Sequence, residues 1–140
     1  MSFSPPELAY LASQSLGRLA TMQPDGTLQV SPVGFAYNAE LDTLDIHGYT
    51  LSSSRKFRNV ANNGRVAFVV DDVASVDPFR VRCLEIRGHA EAIASTGHSG
   101  EGIDDSLIRI HPERIISFGI DEPDQEPHAM TPHNRDVPKT

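Results

Sequence analysis

Short runs of alternating character, each closed by a turn, fill the first third of the chain and commit it to antiparallel β structure. GRLATM leads into QPDGT, where Pro24 presets the backbone and Gly26 supplies the permissive position of a tight turn. LQVSPVGFAY follows, and the spacing predicts a hairpin of Arg18–Met22 with Leu28–Phe35. Pro32 cannot donate to a ladder, so it places the second run at an edge or a bulge. NAELDT is a further turn, and TLDIHGY a third strand.

Two short helices punctuate the strands. Ser4, Pro5 and Glu7 form an N-cap, a first helical position and a capping box, with Leu8, Leu11 and Ala12 on one face and Gly17 as the stop. In the second helix Ser52, Ser53 and Ser54 offer caps, Phe57, Val60 and Ala61 make the buried side, and Asn63-Gly64 ends it. RVAFVVDD reads as a short apolar strand and VRCLEIRGHAEAI as a long alternating one. ASTGHSGEGIDDS reads as a loop, and LIRIHPERIISFGID as a last strand pair broken at His111-Pro112. Six or seven short strands with a few helices predict a mainly β fold, a small barrel with helices at its rim, over residues 1–121. Residues 122–140 are rich in proline and read as a mobile tail or extended arm.

The net charge of −7 argues against binding to duplex nucleic acid or a membrane surface, where a basic patch dominates. No apolar run reaches the ~18–20 residues of a membrane-spanning helix. The N-terminus lacks the pattern of a signal peptide. The single cysteine, Cys83, permits no intrachain disulfide and suits a reducing cytoplasm; its alternating strand reads as a packed thiol rather than a nucleophile. His47, His89, His98, His111, His128 and His133 show no metal-ligand spacing, so no metal is expected. Asp71-Asp72 and Asp104-Asp105 read as solvated pairs at strand and loop ends.

Against this acidic background, YTLSSSRKFRNVANNGRVAFVV gathers Arg55, Lys56, Arg58 and Arg65. A helix N-terminus presents free N–H groups and a partial positive charge, which suits phosphate. Arg55 and Lys56 stand in the first turn, where like charge opposes the dipole unless an anion binds. A solvated helix face is the competing explanation, and on the residues alone both stay open.

SSSRKFRNVANNGRVAFVVDD resembles the phosphate-binding segment of the pyridoxamine-5′-phosphate oxidase-like split-barrel family. LGRLATMQPDGTLQVSPVGFAYNAELDTLDI is similar to that family's opening hairpin and third strand. ASVDPFRVRCLEIRGHAEAI and IRIHPERIISFGID resemble its closing strands. The match covers roughly residues 5–121 and is nearest to the branch that uses the deazaflavin coenzyme F420. The resemblance implies an FMN-binding-like split β-barrel that forms a homodimer with two cofactor sites at the interface. By position it implies that Ser54, Arg55 and Lys56 hold the cofactor phosphate, with Tyr49, Thr50 and Ser52 nearby and Arg58 and Asn59 as further candidates. Ser31, Pro32 and Val33 would contact the ring system. The partner would contribute from DPFR and HPERI, with Phe79 closing an apolar wall. Arg18, Arg80 and Arg82 are candidates for the polyglutamate tail of F420.

The chain lacks the C-terminal Arg-x-His substrate motif of the true oxidases, so vitamin B6 oxidation is not expected. The activity implied is hydride transfer from reduced F420 to an electron-poor C=C or C=N bond of a small organic substrate, secondary metabolites among them. Tyr37, Tyr49 and His47 are candidate proton donors. An FMN-binding oxidoreductase of the same fold, or a non-catalytic cofactor- or ligand-binding protein, are the alternatives.

Overall fold

A computed structural model of the chain describes residues 1–94, 105–121 and 125–138. Along the chain run α1 (Pro5–Ser13), β1 (Gly17–Met22), β2 (Leu28–Val33), β3 (Ala36–Asn38) and β4 (Thr43–Ile46). A 3₁₀ turn, Leu51–Ser53, precedes α2 (Arg55–Asn63), which is followed by β5 (Arg65–Val76), β6 (Phe79–Ile93) and β7 (Leu107–Phe118). A second 3₁₀ turn, Pro127–Ala129, leads to β8 (His133–Asp136). All the strand pairs are antiparallel, in the order β2-β1-β5-β6-β7-β4-β3, with β8 on β7. This is a mainly β, split-barrel architecture with two short helices.

The first hairpin forms as the turn chemistry requires, with Gly26 at φ 89°. It ends earlier than expected, at Val33. Gly34 and Phe35 carry the chain round to the opposite end of the sheet order, where β3 starts afresh against β4. Phe35 packs edge-on to Phe68, with ring centroids 5.4 Å apart, and so helps close the corner. Pro32 does lie in an edge strand, since β2 pairs with β1 alone.

The expected break at His111-Pro112 does not occur, because β7 is one continuous strand. Pro112 stands opposite Gly88 where the β6–β7 register shifts, so a bulge absorbs the missing N–H. Gly88 is required there: a Cβ on it would lie 2.1 Å from the His111 carbonyl oxygen. The C-terminal stretch read as tail or arm supplies an eighth strand, with His133–Asp136 against Arg114–Ser117. Residues 95–104, with His98 and Asp104, lie outside the described residues, as do 122–124 and 139–140.

Both helices are capped as their sequences require. Ser4 Oγ accepts from the Glu7 N–H, and Glu7 Oε1 accepts from the Ser4 N–H at 2.9 Å. Gly64 closes α2 in the left-handed conformation, φ 70°. Their buried faces differ from the expected ones. In α1 the buried side chains are Glu7, Tyr10 and Leu11, while Ala12 is exposed and Gly17 already belongs to β1. The helix is turned this way because the Tyr10 hydroxyl donates to Asp72 at 2.8 Å and Glu7 is bound from below. In α2 Phe57 and Val60 are buried as expected, but Asn59 rather than Ala61 is the third.

The barrel interior is filled by Leu19, Leu44, Ile46, Phe68, Leu84, Ile86, Ile108, Ile110 and Ile115, all essentially inaccessible. At roughly 1.5–3 kcal/mol for each such side chain, this interior is the main stabilising term and holds the rim elements in place.

Candidate functional site

The basic segment begins where the chain leaves β4. Thr50 adopts the left-handed conformation, φ 50°, which is unfavourable for a β-branched residue. The bend it makes turns the chain into the 3₁₀ turn Leu51–Ser53 and leaves Tyr49 exposed. The Ser53 N–H and Oγ both donate to the Thr50 carbonyl, at 3.1 and 2.9 Å. Ser54 caps α2: its Oγ accepts from the Phe57 N–H at 3.2 Å and donates to the Leu51 carbonyl at 2.6 Å. The Ser54 hydroxyl proton is therefore engaged by the fold. What the helix start offers an anion is the backbone N–H groups of Arg55 and Lys56, which have no intrahelical acceptor.

The charges here differ from those elsewhere. Arg18, Arg80, Arg82, Arg87, Arg109, Arg114 and Arg135 each hold a carboxylate within salt-bridge distance. Arg55, Lys56, Arg58 and Arg65 form no ion pair among the described residues. In a chain of net charge −7, these four unpaired cations are clustered on and just after one helix. Arg55 is also close enough to the β1–β2 turn to contribute to holding Asp25 below the usual carboxylate range, an effect led by hydrogen bonds from Thr27.

Asn59 has a different task from its neighbours. Its amide donates to Thr21 Oγ1 at 3.0 Å and Gln29 Oε1 at 3.3 Å, and the residue is 2% exposed. This buried polar seam fixes α2 beneath the first hairpin. Gln29 and Ser31 turn inward with Val33, while Leu28, Val30 and Pro32 face outward. Leu28 and Val30 are 76% and 68% exposed. Of the expected ring contacts, Pro32 lies on the open face, Val33 faces the core, and the buried Ser31 Oγ has no hydrogen-bond partner. Leu28 and Val30 alternate with Gln29 and Ser31 in the sequence, and the structure puts the apolar pair on the outer face.

The candidate proton donors separate. The Tyr37 hydroxyl donates to Asp42 at 2.7 Å, and burial together with that carboxylate raises its pKa to about 12. Asp42 in turn accepts from the backbone and hydroxyl of Ser2. Tyr37 thus belongs to the tie that fastens the N-terminus. His47 and Tyr49 are exposed near the start of the basic segment.

The other candidates are spread over the sheet. Arg82 binds Asp72 through two nitrogens beside the Tyr10 ring. Arg80 is buried and held by the Phe79 carbonyl and Glu126. Arg18 pairs with Asp71 at 2.7 Å. Phe79 is 54% exposed at the tip of the β5–β6 hairpin. In the HPERI stretch, His111 stacks on His89 and meets Glu91 at 2.6 Å. Burial, with Asp71 and Glu85 nearby, pushes the Cys83 thiol up to about 11, in keeping with a packed residue. Among the described residues no group of His, Cys, Asp and Glu could hold a metal ion. No helix among them is long and apolar enough to cross a membrane.

The family model described as pyridoxamine 5'-phosphate oxidase matches residues 5–130. A 5a,11a-dehydrotetracycline/5a,11a-dehydrooxytetracycline reductase from Streptomyces rimosus is 46% identical over 122 residues, 86% of each chain. A conserved hypothetical protein from Mycobacterium tuberculosis superposes with a TM-score of 0.63 at 21% identity, over 82% of this chain and 84% of that one. A solved F420 reductase gives a TM-score of 0.53 at 28% identity, over 70% of this chain and 86% of its own. The chain therefore belongs to the pyridoxamine 5'-phosphate oxidase family.

Proposed function

We propose that the protein is an F420-dependent reductase that saturates an activated C=C bond in a fused-ring secondary metabolite. The observation that carries this reading is the set of cations at α2 without carboxylate partners among the described residues, beside backbone N–H groups at the helix start. Such a set fits a phosphate, and the cofactor of this branch supplies one. Arg55 and Lys56, with the backbone around Ser54, hold the phosphate; Ser52, Thr50 and Tyr49 border it, and Arg58 adds charge. The outward edge of β2 at Pro32 supports the ring, with Ser31 and Val33 contributing backbone. Asn59 acts one step back, by fixing the helix.

When bound, reduced F420 supplies a hydride to one carbon of the alkene, and the other carbon takes a proton. The protein's part is to hold both reactants in contact and to exclude water. With Tyr37 committed to Asp42, His47 and Tyr49 are the side chains left to deliver that proton. The Streptomyces relative, named as a reductase of dehydrotetracyclines, supports a fused-ring enone as the acceptor. The exposed apolar hairpin tip, with Val76 at 81% and Phe79 at 54%, supports a homodimer in which a second copy covers it. A lone thiol without a disulfide partner suits the cytoplasm.

The test is anaerobic mixing of the protein with reduced F420 and a dehydrotetracycline-type enone. Oxidised F420 and the saturated product should appear in equal amounts. Turnover with reduced FMN and none with reduced F420 would refute the cofactor.

A further inference from the structure

The outward face of the sheet carries a trough beside β2 that phosphate binding does not use. Strand register explains it. Val30, Ala20 and Ala67 form one rung across β2, β1 and β5. The next outward rung is Pro32, Arg18, Val69 and Glu85. Two adjacent alanines between larger residues leave a depression of about 310 Å³, lined by Arg18, Ala20, Val30, Ala67, Val69 and Glu85. Its floor, at the two alanines, is apolar. Its rim carries a guanidinium at Arg18 and a carboxylate at Glu85, each held by a neighbour, Asp71 and Arg87 respectively. One wall, Val30, belongs to the strand that carries Ser31 and Pro32.

We propose that this trough is the acceptor subsite, receiving a planar fused-ring enone with ionised oxygens along its edge. The inference rests on the reading of the protein as a reductase of such compounds. An apolar floor suits stacked rings, and the Arg18 guanidinium at the rim, which meets Asp71 through Nη1 alone, keeps further N–H donors for a ligand oxygen. Continuity with β2 brings the rings beside the cofactor strand. Ala20 and Ala67 are then the residues that set specificity, because a larger side chain at either would stand in the floor of the trough.

The test is direct titration of a tetracycline-type ligand, by its own fluorescence, into the wild-type protein and Ala67→Leu. Ala67→Val serves as a second variant if the leucine impairs folding. F420 affinity and molecular mass are measured beside it. The trough predicts saturable ligand binding in the wild type and at least tenfold weaker binding in the variant, with F420 affinity and mass unchanged. Equal ligand affinity in both proteins would overturn it. So would a changed mass with unchanged ligand affinity, which would assign the trough to a second copy of the chain. Failure of the wild type to bind F420 would instead count against the cofactor reading, while the ligand titration still decides the trough.

Discussion

Arg135, in the last strand, closes over the carboxylate of Glu7 in the first turn of α1. Glu7 is 1% exposed, and it also accepts from Ser117 Oγ at 2.7 Å and from the Ser4 N–H. One buried carboxylate thus joins the first helix, β7 and the C-terminal strand. Burial alone would push its pKa up, but Arg135, the Ser4 N–H and Ser117 outweigh that and hold it below the ordinary value of 4.5.

Arg135→Ala should therefore destabilise the fold by about 1–3 kcal/mol, below the range for a fully buried pair because the guanidinium is partly solvated. The pH dependence follows from the sign of the shift. A carboxyl with a lowered folded pKa contributes its stability above the unfolded value and loses it as pH falls through the folded one. Melting temperature measured from pH 7 down to pH 3 should fall less steeply in the variant than in the wild type. Parallel curves would show that the ion pair contributes nothing.

Asn59→Ala leaves Thr21 and Gln29 without their shared donor inside the α2–hairpin seam. A cost of about 1–3 kcal/mol follows from the unsatisfied buried groups. Because the seam positions the basic helix, F420 affinity should fall as well, although Asn59 is nearly inaccessible. Chemical denaturation and a cofactor titration on one preparation check both effects; loss of stability with unaltered affinity would detach the seam from the site.

Gly88→Ala tests the bulge. The added Cβ would meet the His111 carbonyl at 2.1 Å, and that contact is backbone, so it cannot swing aside. A loss of about 1–3 kcal/mol or more is expected in a denaturant series. A neutral result would mean that β6 and β7 are not joined in this register.

The parts of the fold legible in the sequence are those fixed by neighbouring residues. The Ser4–Glu7 box, the Pro24-Asp25-Gly26 turn and the Asn63-Gly64 stop each act within a few positions, and each formed where read. What escaped depends on distant partners. Pro112 sits inside a strand only because Gly88 of β6 lets the backbones approach. Asn59 is buried because it meets Thr21 and Gln29, which lie 38 and 30 residues away along the chain. The basic cluster stood out in the sequence, but its lack of carboxylate partners among the described residues could not be read there. Aspartates close to other arginines in space lie far from them along the chain, as Asp71 does from Arg18.

The cluster yields the most direct test, because binding and stability should move in opposite directions. Arg55 and Lys56 oppose the dipole at the start of α2, so replacing both by alanine should leave the protein as stable or up to about 1 kcal/mol more stable. The measurement is a fluorescence titration of F420, with FMN alongside, into the wild type and the Arg55→Ala/Lys56→Ala variant, with melting temperatures recorded for both. The account predicts micromolar or tighter F420 binding by the wild type, at least tenfold weaker binding by the variant, and no loss of thermal stability. Equal F420 affinity in the two proteins, or wild-type preference for FMN, would contradict it.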